Sequence, residues 1–211
     1  MEELDRWVKT RGNGKYPPKE NYTAPFGLPE IYGIQQNREE LLEFVAYLLG
    51  KGGGGTVLEI GLGRAGSTHV LWRQIFDLVI TIELDFERVN QFGTAFSSFY
   101  GVWPDERSRF IFGDSHALST FAKTRQCAKQ VDMVFIDGDH GGNAARADWS
   151  LYAPLVKKGG IVAFHEAAPA NENAEVVQFL KELESEQVDG TPHALTRIVK
   201  SGNQGIAYYI K

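Results

Sequence analysis

The chain has 211 residues, 43% of them hydrophobic and 23% charged, with a formal net charge of −5. That composition belongs to a folded domain and excludes a mainly disordered chain, while an acidic balance without a clustered Lys/Arg surface excludes broad electrostatic binding to nucleic acid. The longest unbroken apolar run, Phe44–Leu49, falls far short of the ~20 residues that a membrane-spanning helix needs, so no membrane association is expected.

Residues 1–35 read differently from the rest. They hold Pro17, Pro18, Pro25 and Pro29, half of the 8 prolines, interleaved with Trp7, Tyr16, Tyr22, Phe26 and Tyr32. Prolines at this density prevent continuous helix or interior strand, and the aromatic rings supply docking surface. The segment is expected to be an arm packed on the domain formed by residues 36–211, either covering its site or a subunit contact in a homodimer, or serving as structural packing alone. MEELDRWVKT at the start lacks the basic-then-apolar pattern of an export signal, so a cytoplasmic location is expected. The single cysteine, Cys127, excludes an internal disulfide and suits a reducing compartment.

From Asn37 onward helix and strand signals alternate. Asn37 followed by Glu40 resembles a capping box, and Leu41, Leu42, Phe44, Val45, Leu48 and Leu49 form an apolar stripe ending at Gly50. KGGGG (Lys51–Gly55) breaks the chain. The pattern then predicts strands at Thr56–Ile60, Leu78–Glu83, Phe110–Phe112, Val131–Ile136 and Ile161–Phe164. Helices are predicted at Gly66–Phe76, Asp85–Tyr100, Ser115–Lys129, Asn143–Val156 and Glu172–Glu186. Last comes a hairpin, Thr196–Lys200 and Ile206–Ile210, around the turn Ser201–Gly205. Apolar strands between helices imply a parallel sheet covered on both faces. The expected fold is therefore a doubly wound, Rossmann-like three-layer α/β sandwich with a seven-stranded sheet and a C-terminal antiparallel hairpin.

Glu59-Ile60-Gly61-Leu62-Gly63-Arg64-Ala65-Gly66 places a GxGxxG spacing between the first strand and its helix. That context lets a nucleotide-like ligand approach the backbone at Gly61, Gly63 and Gly66. Glu83 closes the second strand, where an acid suits ribose hydroxyls. In a dinucleotide site the turn faces a pyrophosphate, which Glu59 would repel. A cofactor carrying an ammonium and a sulfonium would instead be attracted. An NAD-dependent oxidoreductase is the rival reading, and Glu59 argues against it.

At the end of the fourth strand, Asp137, Asp139 and His140 fall within Phe135-Ile136-Asp137-Gly138-Asp139-His140, on the edge where ligands bind in such sheets. The fifth strand ends in Ala163-Phe164-His165-Glu166 beside it, so Asp137, His165 and Glu166 are expected to converge. His69 and His116 lie where a cofactor contact is open to them, though packing or surface roles are the favoured reading; His193 carries no motif, and Cys127 reads as buried and inert.

Glu59-Ile-Gly-Leu-Gly resembles motif I of the class I S-adenosylmethionine-dependent methyltransferases. Glu83 matches their ribose-binding acid, Phe112-Gly113-Asp114-Ser115 resembles the segment whose Asp lies near the adenine amino group, and the hairpin matches their final strands. The resemblance spans roughly Gln35 to Lys211. Within the class, the strand-end clusters are similar to a branch of cephalosporin-hydroxylase-like and macrolide-sugar O-methyltransferase-like proteins, more distantly to catechol and caffeoyl-CoA O-methyltransferases. The segment Tyr32–Leu41 also looks like that branch's approach to its first helix.

The resemblance implies S-adenosylmethionine as cofactor, held by Glu59, Gly61, Gly63, Gly66, Glu83, Asp114, Ser115 and Asp139. It places Asp137, His165 and Glu166 at the ligand positions for Mg²⁺ or another divalent cation, and His140 at that of the general base. It implies methyl transfer to a small-molecule acceptor, at a hydroxyl oxygen. The branch's name also admits a cofactor-binding protein without methyl transfer. Two departures stand out. His165-Glu166 replaces the branch's usual His-Asp, and Gly141-Gly142 stands where Ser-Tyr is common, removing a tyrosine that could contact substrate.

Overall fold

Asn37 caps the first helix, α1 (Arg38–Gly50): its side-chain oxygen accepts the backbone N–H groups of Glu39 and Glu40 at 2.9 and 3.2 Å. Those are donors that a helix start leaves without intrahelical partners. The computed structural model describes residues 36–63, 66–91, 106–170, 174–185, 190, 192–200 and 204–211, so the expected arm lies outside the described residues. α1 buries Leu41, Phe44, Val45 and Leu48, the stripe that the sequence spacing predicts.

The alternation then runs β1 (Thr56–Ile60), α2 (Ser67–Ile75), β2 (Leu78–Glu83), a helical stretch at 86–91, β3 (Ser108–Phe112), α3 (Leu118–Cys127), β4 (Val131–Ile136), α4 (Ala144–Tyr152), β5 (Val156–His165), α5 (Ala174–Glu184), β6 (Thr196–Ile198) and β7 (Ile206–Ile210). The strands form one seven-stranded sheet in the order β3-β2-β1-β4-β5-β7-β6. β7 pairs antiparallel with both β5 and β6, and the other pairings are parallel. This is the expected Rossmann-like sandwich with its terminal hairpin.

Alternation along the strands divides the core. Val57, Val79, Met133 and Phe135 face α1 and α2, where Phe44 and Phe135 pack on Trp72 with ring centroids 6.3 and 5.2 Å away. Leu58, Ile60, Val134 and Ile136 face the opposite layer, with Tyr152, Phe179 and Leu180. Glu59 shares the face of Val57, so a carboxyl is carried into an otherwise apolar layer.

Several boundaries differ from the sequence reading: α3 runs Leu118–Cys127 instead of Ser115–Lys129, β6 stops at Ile198 instead of Lys200, and three others have an identifiable cause. β3 starts two residues earlier than Phe110, because Ser108 and Arg109 pair with Val79 and Ile80. α4 stops at Tyr152 and gives way to a 3₁₀ turn, Ala153–Leu155, since Pro154 lacks an N–H and cannot continue an α-helix. β5 consequently begins at Val156, with its register against β4 shifting between Val131 and Met133. Gly160 permits that irregularity: a Cβ there would lie 2.6 Å from the Asp132 carbonyl oxygen. Cys127 also differs, being exposed at the last position of α3, a helix that buries Thr120 and Thr124. Among the described residues, no helix is long and apolar enough to cross a membrane.

Candidate cofactor and catalytic site

In this order β1 has neighbours leading away in opposite directions, and the crevice beyond the strand ends opens there. The register sets the strand ends level: Ile60 pairs with Ile82 and with Ile136, and Ile136 with Phe164. A cavity of about 730 Å³ lies across those ends. Gly61 and Gly63 line it, as do Glu83, Asp114 and Ser115, and beyond β4 and β5 Asp137, Asp139, His140, His165 and Glu166. Two expected site residues stand outside the wall: Gly66 caps α2 with φ 60°, and Glu59 is buried beneath the turn.

Gly61 is required on two counts. Its φ is +92°, and a Cβ would sit 2.2 Å from the Asp137 carbonyl oxygen. The turns after β1 and β4 are thus in backbone contact, with Asp137 N–H donating to the Ile60 carbonyl at 3.0 Å. Glu83 secures the same turn from the other side. Its Oε2 accepts the Leu62 N–H at 2.9 Å and its Oε1 accepts the Asp85 N–H at 2.9 Å. Arg88 Nη1 lies 3.7 Å from Oε1.

The second half of the cavity is a cluster of acids and imidazoles. Asp137 Oδ1 is 2.9 Å from His165 Nδ1 and 3.4 Å from His140 Nε2, and its Oδ2 accepts from Gln36 Nε2 at 2.7 Å. His140 Nδ1 closes on Glu166 Oε2. Burial alone would raise the Asp137 carboxyl, but the charge of His165 and the hydrogen bonds of both imidazoles outweigh it and bring it down to about 2. Burial alone would lower His140, yet its bonds to Asp137 and Glu166, and their charges, push it up to about 10. His165 is raised and Glu166 lowered by the same mutual attraction, each against its own burial. At neutral pH Asp137 is therefore a carboxylate and His140 an imidazolium, while the carboxylates beside His165 favour its protonated form. Glu166 holds its place with φ 57°, a left-handed conformation costly for a non-glycine residue.

The expected metal donors Asp137, His165 and Glu166 do converge, but their polar atoms face one another and His140. Among the described residues, no group of three or more His, Cys, Asp or Glu is disposed to hold a metal ion. Asp139 turns one oxygen to its own loop, with Oδ1 accepting the Gly141 N–H at 3.0 Å. Asp114 Oδ1 likewise accepts the His116 N–H at 2.9 Å.

Glu59 lies wholly buried, its Oε2 accepting from Thr81 Oγ1 at 2.7 Å. Thr68 and Trp72 approach the carboxyl, but no donor among the described residues reaches Oε1 at hydrogen-bonding geometry. Burial raises this carboxyl to about 8, against the help of Thr68 and Thr81. A neutral Glu59 does not repel a pyrophosphate. The discrimination that the sequence assigned to Glu59 is supported by the wall itself: Glu83, Asp85, Asp114, Asp137, Asp139 and Glu166 line the cavity, against Arg88 as its one permanent cation among the described residues.

Sequence reasoning missed or underrated three contributors. Gln36 was legible only as part of the approach to the first helix, yet it is buried and holds Asp137. His116, read as packing or surface, lines the cavity with Nε2 3.4 Å from Asp148 Oδ1. Asp148 is fully buried on α4, and burial raises its carboxyl to about 6. Nothing in one sequence marks such a residue, because the carboxyl sits in an ordinary helical stretch.

A sequence profile for a methyltransferase domain matches residues 58–167, just over half of the chain. No curated protein matches the sequence at a significant level. Solved structures share the fold at low identity. A Staphylococcus aureus protein ascribed to the caffeoyl-CoA O-methyltransferases superposes with a TM-score of 0.60 at 17% identity, covering 80% of this chain and 82% of the other. A Pyrococcus horikoshii protein ascribed to the RNA methyltransferases gives 0.57 at 19%, over 100% and 97%. The MycE methyltransferase of mycinamycin biosynthesis, solved with Mg, S-adenosylhomocysteine and mycinamycin VI, gives 0.57 at 15%, over 83% of this chain and 50% of that one. With the profile match lying across the glycine turn, Glu83, Asp114 and the acid–imidazole cluster, the chain belongs to the S-adenosylmethionine-dependent methyltransferase family.

Proposed function

We propose that the protein transfers the methyl group of S-adenosylmethionine to a hydroxyl oxygen of a small molecule. The observation that carries this reading is His140 held between Asp137 and Glu166 in the same cavity as the glycine turn and Glu83. The sulfonium makes the methyl electrophilic, so the protein's part is to hold an oxygen in line with it and dispose of its proton.

The acidic wall suits a cationic cofactor and disfavours the pyrophosphate of NAD. In this reading Gly61 and Gly63 let the cofactor lie against the backbone, Glu83 takes the ribose, and Asp114 with Ser115 the adenine; their place in the lining of one cavity supports it. Gln36 and His165 hold Asp137, and Asp137 with Glu166 orients the ring of His140. While the two ion pairs stand, His140 carries both ring protons, with Nδ1 against Glu166 and Nε2 3.4 Å from Asp137 Oδ1. The residue becomes a base when it has lost one of those protons, so turnover should follow that loss.

A divalent cation at Asp137, His165 and Glu166, which the family resemblance implies, would meet suitable donor types and, when bound, would polarise the acceptor oxygen. Those donor atoms are the ones that bond His140 and His165 here. Its presence is decided by metal analysis of the purified protein.

The test is transfer of labelled methyl from S-adenosylmethionine to a panel of phenolic and sugar hydroxyls. The parent chain should label a hydroxyl acceptor, and His140→Ala should lose at least about a hundredfold in rate while keeping cofactor affinity. Cofactor binding without transfer to any acceptor class would favour the branch's binding-protein reading.

A further inference from the structure

On the α2 side of the sheet, one line of hydrogen bonds joins the carboxyl of Glu59 to the guanidinium of Arg73. Thr81 Oγ1 donates to Glu59 Oε2 at 2.7 Å, and His69 Nδ1 lies 2.7 Å from Thr81 Oγ1. The far ring nitrogen, His69 Nε2, is 3.0 Å from Ser108 Oγ, which accepts from Arg73 Nη1 at 2.8 Å. Glu59, His69, Thr81 and Ser108 are all fully buried.

A threonine hydroxyl has one proton to give. When Thr81 donates it to an ionised Glu59, its oxygen must accept from His69. Nδ1 then carries the ring proton and Nε2 accepts from Ser108. When Glu59 is protonated the line can reverse: Glu59 donates to Thr81, Thr81 to Nδ1, and Nε2–H to Ser108. The charge of Glu59 and the tautomer of His69 are coupled.

The charge state is open to the cavity. Asp137 in the cavity wall acts on Glu59 through space, favouring its protonated form. A cofactor ammonium and sulfonium in that cavity act with the opposite sign. His69 Nδ1, 3.8 Å from Glu59 Oε2, and Arg73 at the end of the line are the other ionisable groups facing it. The buried Oε1, reached by no donor among the described residues, gains most from an approaching positive charge.

Resting on the S-adenosylmethionine reading, we infer that Glu59 is a counter-charge that ionises as the cofactor binds, with Thr81 and His69 as the positioning residues that accommodate its ionised form. Binding then follows a balanced step: protonated Glu59 and the cationic cofactor give the ionised Glu59 complex and one proton to the buffer. S-adenosylhomocysteine has lost the sulfonium charge, so the product drives less ionisation and the site tells substrate from product.

The experiment is calorimetric titration with S-adenosylmethionine in phosphate and in Tris, whose ionisation enthalpies differ, beside ¹⁵N spectra of His69 in the cofactor-free chain. Release should approach one proton per chain at about pH 7 and fall toward zero above about pH 9. It should be smaller with S-adenosylhomocysteine and absent in Glu59→Gln. The His69 spectrum should pass from the Nε2–H to the Nδ1–H tautomer over the same range. Thr81→Val should remove that passage and Thr81→Ser restore it. Equal proton release by Glu59→Gln and the parent, or a His69 tautomer constant with pH, overturns the inference. Absence of cofactor heat in both buffers would count against the S-adenosylmethionine reading instead, while the His69 spectra still decide the coupling.

Discussion

Glu83 Oε2 accepts the backbone N–H of Leu62 at 2.9 Å, so the last residue of β2 fixes the turn that follows β1. The acid read from the sequence as a ribose partner is also the clamp on the glycine turn. Glu83→Ala should therefore act on stability as well as on binding. Loss of a charge-assisted hydrogen bond to a buried carboxylate should cost about 1.5–3 kcal/mol, and cofactor affinity should fall by at least about tenfold. Thermal melts and titration of the same samples check both. Unchanged affinity beside a lowered Tm would leave Glu83 as clamp only.

Gly61→Ala tests the contact between the turns after β1 and β4. Alanine must adopt φ +92° and place its Cβ 2.2 Å from the Asp137 carbonyl oxygen. The strain and the displaced backbone should together cost about 2 kcal/mol or more, and Asp137 should move with its carbonyl. A denaturant melt within about 0.5 kcal/mol of the parent would contradict this packing.

The stability of the chain should respond to pH through Asp148, whose buried carboxyl is raised to about 6 with His116 its nearest basic neighbour. A raised carboxyl means that the folded state holds its proton more tightly than the unfolded chain. Its favourable contribution is fully present below the unfolded value, near 3.9, and is lost as pH rises through about 6. Asp148→Asn should thus be more stable than the parent at pH 8, by up to about 3 kcal/mol, with the gain gone below pH 4. Melts across that range would refute the reading if the difference did not vary with pH.

Most of this frame was legible in one sequence. Period-two and period-3.6 patterns are local, and they located the strands and helices well; the boundary misread at α4 overlooked the local effect of Pro154, while that at β5 turned on Gly160, whose role depends on β4 alongside. Glu83, Asp137, His140 and Glu166 were legible because strand ends in a doubly wound sheet must meet at one edge. Gln36 and Asp148 were not, since Gln36 meets Asp137 only across a long stretch of sequence and Asp148 meets His116 only through the packing of α4. Glu59 shows the reverse: its position in the motif was plain, but its burial on the α2 face, which leaves it neutral, appears only in three dimensions.

The rate of methyl transfer should carry the signature of His140, held up at about 10 by its carboxylate partners. Since the free base forms only as pH rises toward that value, turnover should climb about tenfold per unit between pH 7 and 9 and level only above about 10. Glu166→Gln removes one partner charge and should shift the profile to lower pH. Chelator added at each pH reads the cation proposal in the same assay: turnover abolished by chelator would assign Asp137 and Glu166 to a metal.

Everything proposed for the site depends on whether the cavity at the ends of β1 to β4 takes S-adenosylmethionine. Titration of the parent chain with S-adenosylmethionine, S-adenosylhomocysteine and NAD in parallel measures it. The prediction is saturable binding of both sulfur compounds, competing for one site per chain, and none for NAD. Absence of binding by either up to millimolar concentration, or tighter binding of NAD, would contradict it.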